Sequence, residues 1–351
     1  MKKEDTTTQS YWNRIQGLSF VLAVFVVIRH NSSFANYDQN SVVVSYGRFF
    51  YNVLRNSITE IAVPLFFIIA GLNFFRGYTP KNYKLKLKGR IKSLVVPYLV
   101  WNCIYVLFNV IISIPVFSQY FIGRETFDIS LRNIVTSCIY HWTCNGHFWF
   151  VFNLIIFTLT NPIVYFLFHK KVLGGITLVF LFSSIFVFNV NIPAIFIYRT
   201  DSIFYYYLGA YLGLNYMNIS VMSIQCNNTV KLTGGILLLT TILLLFNIHT
   251  VLRPVIILVA SIGMYLISAV WNNNVNLLFT GGTTFIVYAI HGILQPVIVK
   301  CLYLFFSKEG FWSIINFLFS VGLTVALSVL MRSVNKKYFP AIDHILAGWR
   351  R

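Results

Sequence analysis

The sequence predicts an all-α polytopic membrane bundle of about ten transmembrane helices, with both termini in the cytoplasm. Three observations carry that prediction. The 351 residues are 57% hydrophobic and only 10% charged, with a mean hydropathy of +0.72, whereas soluble domains carry about 25% charged residues. Apolar runs near the length needed to cross a bilayer, about 20 residues, recur along the chain. The basic residues sit in the short segments between those runs, which is how membrane topology is written.

Ten runs follow in order: 14–31, 58–76, 93–115, 147–168, 172–190, 201–217, 232–249, 254–271, 281–305 and 312–331. The first is preceded by a short polar stretch and followed by no small-residue cleavage site, so it is expected to be a retained span. An even number of spans puts both ends on one side. With the N-terminus inside, inner segments hold 18 basic residues against three acids, and outer segments hold the other 9 basic residues and 6 acids. That asymmetry favours a cytoplasmic N-terminus; the expected location is a bacterial cytoplasmic (inner) membrane. No loop is long enough for a second domain, so 1–351 reads as one integral membrane domain with short cytosolic tails at 1–13 and 332–351. The gly pairs at 174–175, 234–235 and 281–282 read as breakers at helix starts, and Cys103 and Cys301 as small core residues. Cys138 and Cys144 are close enough in one outer segment to form a disulfide. The outer segment 116–146 is polar and aromatic, and is a candidate for dipping back into the membrane.

The net charge of +18 does not imply nucleic acid, because its distribution follows the loops. The densest cluster, Lys81 to Lys92 with Arg90 and no acid, reads either as an anchor on anionic lipid headgroups or as a dock for a phosphate-rich cytosolic donor. No His-Glu-x-x-His, Cys-x-x-Cys, Walker A or dinucleotide fingerprint occurs, so no metal or bound cofactor is expected.

What remains is acid–base chemistry by histidine. His30 closes the first span and is placed where an imidazole is costly, which makes it a functional candidate. Glu60, His147 and Asp201 fall near outer helix ends, and His291 nearer mid-membrane. An imidazole is suited to take a proton from a hydroxyl, with Glu60 or Asp201 orienting it. Each has a structural alternative: Trp149 and His147 as interface anchors, Glu60 and Asp201 as partners of Arg55 and Arg199, and His291 as a bundle histidine.

These residues resemble a known group. Val63-Pro64-Leu65-Phe66-Phe67-Ile68-Ile69-Ala70-Gly71, the run from Arg90 and Lys92 through Pro97 and Tyr98 to Trp101 and Asn102, Gly146-His147-Phe148-Trp149-Phe150, Tyr207-Leu208-Gly209-Ala210-Tyr211 and Tyr288-Ala289-Ile290-His291 are similar, in order, to signatures of the integral-membrane acyltransferase 3 family. The histidine ending the first span matches as well. The resemblance implies O-acylation of a cell-surface glycan hydroxyl from cytosolic acyl-CoA, most often acetyl-CoA. It implies His30 as base and Arg14, Arg90 and Lys92 toward the donor, with His147, Trp149, Asp201 and His291 toward the acceptor. One departure stands out. The family's first-span arginine, eleven residues before the histidine, is Ser19 here. Arg14 lies sixteen residues before His30, about 160° around the helix and about 24 Å away. An exporter or flippase of lipid-linked glycans, and a scaffold in a polysaccharide synthesis complex, are the competing expectations. Partners are membrane lipid, glycan and acyl-CoA.

Overall fold

A computed structural model describes residues 2–31, 49, 51–118, 127–140, 144–216, 227–246, 251–271, 280–306 and 311–350. Every regular element among them is helical. In chain order these are α1 (Lys2–Arg29), α2 (Tyr51–Phe75), α3 (Pro80–Ser113), α4 (Leu131–Ile139), α5 (Gly146–Phe168), α6 (Lys171–Val187), α7 (Asp201–Asn215), α8 (Asn228–Leu245), α9 (Leu252–Trp271), α10 (Gly281–Phe305), α11 (Phe311–Tyr338) and α12 (Pro340–Leu346). Eight of these helices are long and apolar enough to cross a membrane. The remaining two expected spans are the shorter α6 and α7. The face carrying Phe305 and Phe311 is called the upper face below.

α7 has 15 residues, too few for a free span. It does not meet lipid on most of its surface, because Ile203 to Tyr207, Gly209, Ala210 and Gly213 are all buried. Its Gly209 and Gly213 are four apart and lie against the carbonyls of Ile68 and Leu72, while Gly71 lies against Tyr206. Small residues at this spacing let two membrane helices approach closely. A Cβ on Gly209 would enter the contact shell of Ile68 O. Gly209→Ala is therefore expected to destabilise the fold by about 1–3 kcal/mol through overpacking. Thermal unfolding in detergent measures this, and an unchanged midpoint would refute the close approach. The same register sets Glu60 level with Asp201.

Two segments end inside the bundle instead of at its surface. At the end of α1, Gln295 Nε2 donates to Val27 O at 3.0 Å and Asn31 Nδ2 donates to Ser320 Oγ at 2.7 Å. Tyr51 OH donates to Asn31 O at 2.9 Å. Gln295, together with Tyr51, whose OH also lies 3.1 Å from Arg29 O, supplies partners that the last helical carbonyls lack, while the Asn31–Ser320 bond anchors the residue beyond the helix. α10 runs ten residues past Gln295 and α11 begins nine residues before Ser320, so α1 stops about 14–15 Å below the upper face.

The second such region comprises 127–140 and 144–146. Phe127 N donates to Ser113 Oγ at the top of α3, at 3.0 Å. Ser130 caps α4, and at its far end Tyr98 OH donates to Ile139 O at 3.0 Å. Tyr98 is fifteen residues below Ser113, about 22 Å down the helix. The chain thus dips into the membrane beside α3, and α5 begins at depth where Asn145 Nδ2 donates to Asn102 Oδ1 at 3.1 Å.

Three local expectations change. Gly234 does not break a helix; it sits inside α8, in close packing with Gly263 of α9. Cys103 and Cys301 are exposed on outer helix surfaces, where a thiol meets lipid as readily as a methyl group does. Cys138 and Cys144 are not joined by a disulfide, and Cys138 also neighbours Cys103. The segment expected as a short cytosolic tail is folded. α12 folds back on the bundle, with Trp101 Nε1 donating to Leu346 O at 3.0 Å and buried Arg332 paired to buried Asp343 at 3.4 Å.

Candidate active site

Three helices bring three imidazoles together. The ring centroids of His30 and His291 are 5.3 Å apart, those of His147 and His291 4.4 Å, and those of His30 and His147 6.0 Å. The C-terminal end of α1 supplies His30, the start of α5 supplies His147, and mid-α10 supplies His291. The three differ in what their nitrogens do.

His291 is fully buried and its Nδ1 lies 2.6 Å from Tyr288 O. A carbonyl only accepts, so Nδ1 carries the proton and Nε2 presents a lone pair. That lone pair has no hydrogen-bond partner among the described residues.

His147 is held by a different logic. Tyr105 OH donates to Ala289 O at 2.9 Å and lies 3.0 Å from His147 Nε2. A hydroxyl has one proton, so the hydrogen in the second bond comes from His147 Nε2, and Nδ1 is the ring's basic nitrogen. Tyr288 OH fixes the same residue by donating to His147 O at 2.5 Å. Gly292 leaves the room required, because a Cβ there would lie 2.6 Å from both His147 Cε1 and Tyr105 OH.

His30 is the exposed member of the three. Its backbone N–H closes the final turn of α1 on Val26 O at 3.1 Å. Its ring makes no hydrogen bond to a described residue. Among the described residues no group of His, Cys, Asp or Glu is arranged to hold a metal ion. The arrangement is one of proton handling: one open imidazole beside two whose tautomers are fixed by backbone carbonyls and a tyrosine.

Glu60 and Asp201 form a charged layer next to this cluster. Glu60 takes Arg29 Nη1 at 2.5 Å and Arg253 Nη2 at 3.5 Å, so its direct partners are guanidiniums. Asp201 forms a two-point pair with Arg199, at 3.0 and 2.5 Å. The Arg199 guanidinium lies over Trp149, whose ring also packs on Tyr198 and Phe67. Glu60 is tied to the cluster through Arg29, the residue before His30.

The remaining predicted residues lie elsewhere. Arg14 is fully buried, donates to Tyr265 OH at 2.9 Å and lies over that ring. Unbroken α1 keeps it about 24 Å from His30. Ser19 is half-buried between them. Arg90 and exposed Lys92 lie toward the lower face, flanking the start of a π turn, Ile91–Val95.

Sequence reading missed Tyr105, Gln295, Arg253 and the amide pair of Asn102 and Asn145, which carry no signal in a single apolar run. Whichever way round the two buried amides stand, one NH2 group is left with an unused hydrogen-bond donor. Beneath the imidazoles, Phe148 stacks on Tyr288 at 5.5 Å and Phe285 closes the layer 6.1 Å from Tyr288.

Tyr105→Phe removes the acceptor of His147 Nε2–H while keeping the ring. The expected cost is about 1–3 kcal/mol for an unmet buried donor, read as a loss of stability together with slower turnover. A variant indistinguishable from the parent in both would refute the tautomer assignment.

Residues 12–333 match a family described as an acyltransferase domain. No curated protein and no solved structure matches the chain.

Proposed function

The chain belongs to the acyltransferase family, as a multi-pass membrane protein, and on that premise we propose that it acylates a glycan hydroxyl within the membrane. The donor in this reading is a cytosolic acyl-CoA, acetyl-CoA in the simplest case. The acceptor is a cell-surface or lipid-linked glycan that approaches from the upper face. The lower face, with Lys81 to Lys92, is the cytosolic one.

His30 is the general base. One of its ring nitrogens donates to the waiting lone pair of His291 Nε2, which leaves the other to take the proton from the acceptor hydroxyl. The hydroxyl oxygen attacks the thioester carbonyl. The C–S bond of the tetrahedral intermediate then breaks, and the proton held by His30 returns to the departing thiolate. The spare amide donor of the Asn102–Asn145 pair is the candidate for the oxyanion. Glu60, clamped by Arg29 and Arg253, steadies the end of α1, while Asp201, Arg199 and Trp149 face the acceptor side. Arg90 and Lys92 attract the donor's phosphates.

The observation that carries this reading is the convergence of three imidazoles at mid-membrane with one left open. The test is label transfer from radiolabelled acetyl-CoA to glycans extracted from the host, by purified protein in lipid. Label on the glycan is the expected result. Passage of glycan across the bilayer with no label transferred would put export in its place.

A further inference from the structure

Residues 340–350, beyond the matched residues 12–333, form a strap that packs on the lower part of the bundle. Gly348 at φ +65 and Trp349 at φ +54 reverse the chain, a left-handed turn of the kind that ends helices. The strap lies on one face of α3 through Ser93, Pro97 and Trp101, each four residues on. Pro97 has no N–H to give Ser93 O, and Gly348 packs against that carbonyl so closely that a Cβ would lie 2.8 Å from it. Trp101 holds Leu346 O, and Arg332 Nη2 donates to Arg350 O at 3.2 Å. The result is a fixed position for Arg350. Its guanidinium sits 4.0 Å above the Phe285 ring, and its Nη1 donates to Ala347 O at 3.0 Å.

Phe285 is the lower edge of the aromatic layer under the imidazoles. Arg90 precedes Ser93 by one turn on the helix that Arg350's strap contacts. Burial and the Arg90 guanidinium together push the Arg350 pKa down to about 9, so it is still cationic at neutral pH. The nearby acid Asp343 is engaged by Arg332. Neither Arg90 nor Arg350 has an ion-pair partner among the described residues. Arg90, whose guanidinium lies over the Phe74 ring, is near enough to act on Arg350 electrostatically, and with no carboxylate paired to either among the described residues a phosphate, with its geometry for paired N–H donors, would supply the counter-charge.

We propose that Arg350 and Arg90 form a phosphate seat at the lower end of the aromatic layer, and that its occupant is the phosphorylated part of the acyl donor. The second half of this rests on the acyl-transfer reading. An anionic lipid headgroup offers the same chemistry, so the two sources need separate arms. From this seat the layer of Phe285, Tyr288 and Phe148 leads directly to His291 and His30.

The test is equilibrium binding of coenzyme A and of phosphate-free pantetheine to the full chain in phosphatidylcholine nanodiscs, for the parent, Arg350→Gln and Arg350→Lys. Loss of a charge-assisted contact should weaken coenzyme A binding about tenfold or more in Arg350→Gln, and less in Arg350→Lys. Pantetheine binding should not change. Equal coenzyme A affinity in parent and Arg350→Gln, or no binding by the parent, would overturn the proposal. An equal loss for both ligands would also overturn it, as packing damage. The lipid arm repeats the binding with phosphatidylglycerol added. Competition that disappears in Arg350→Gln, with coenzyme A affinity unaltered by the substitution in pure phosphatidylcholine, would assign the seat to a headgroup. Acetyl transfer is measured separately: coenzyme A binding that depends on Arg350, without any transfer, would keep the seat and refute the acyl-transfer reading.

Discussion

His30→Ala is expected to slow acyl transfer by roughly 10²–10⁴-fold, the usual contribution of a positioned general base, and to leave the protein folded. Both halves follow from the same geometry. The ring is exposed and makes no hydrogen bond to a described residue, so little native structure depends on it. The fixed tautomer of His291, by contrast, points a lone pair at nothing among the described residues, and the adjacent His30 is the natural donor. Replacement removes the base and strands that lone pair. Label transfer from acetyl-CoA by the variant, checked against its thermal midpoint, decides the matter. Undiminished transfer would exclude His30 as the base. A collapsed midpoint would show that the residue is structural. Neither Arg14→Ala nor Trp149→Ala should match the loss, because neither side chain reaches the imidazoles.

Asp343→Ala is expected to cost about 3–5 kcal/mol, the effect of removing one member of a buried ion pair. The side chains of Arg332 and Asp343 are 5% and 7% exposed. Arg332 also donates to Thr280 and Thr283 at the start of α10 and to Arg350 O in the strap. Without the carboxylate its charge stays buried with only neutral acceptors, and α12 loses its tie to α11. The double change Asp343→Leu with Arg332→Met should recover much of the loss, since it removes both charges at similar volume. Unfolding in detergent measures both. A single variant as stable as the parent would mean that water already reaches the pair. A double variant as damaged as the single one would mean that the hydroxyl and carbonyl contacts of Arg332 matter more than its charge.

Hydropathy was enough to predict a polytopic helix bundle, with eight of the ten expected spans long and apolar enough to cross a membrane among the described residues, because a bilayer constrains length and polarity strongly. It also drew attention to His30, His147 and His291, since ionisable groups stand out in an apolar sequence. Depth was not legible. His30 reads as the outer end of a span, yet it lies well inside, because Gln295, donating to Val27 O, and Ser320, accepting from Asn31, hold the end of α1 across more than 260 positions of sequence. α7 looked like a span and is a short buried helix, because its apolar residues face protein. Gly234 looked like a breaker, because close packing with Gly263 of a neighbouring helix leaves no trace in a single sequence. The direct partners of Glu60 were equally hidden: the sequence suggested Arg55, but the structure gives Arg29 and Arg253.

The stacked rings of Phe148 and Tyr288, closed below by Phe285, have a consequence for the cell as well as for the reaction. Two segments end at mid-depth, which puts the imidazoles inside the bundle, and the lower face carries its own concentration of charge. Nothing in three adjoining imidazoles prevents protons from hopping between them. A continuous wet path through such a protein would short-circuit the ion gradient of the host. The packed rings of Phe148, Tyr288 and Phe285 place an apolar, low-dielectric layer between the imidazoles and the charged lower face.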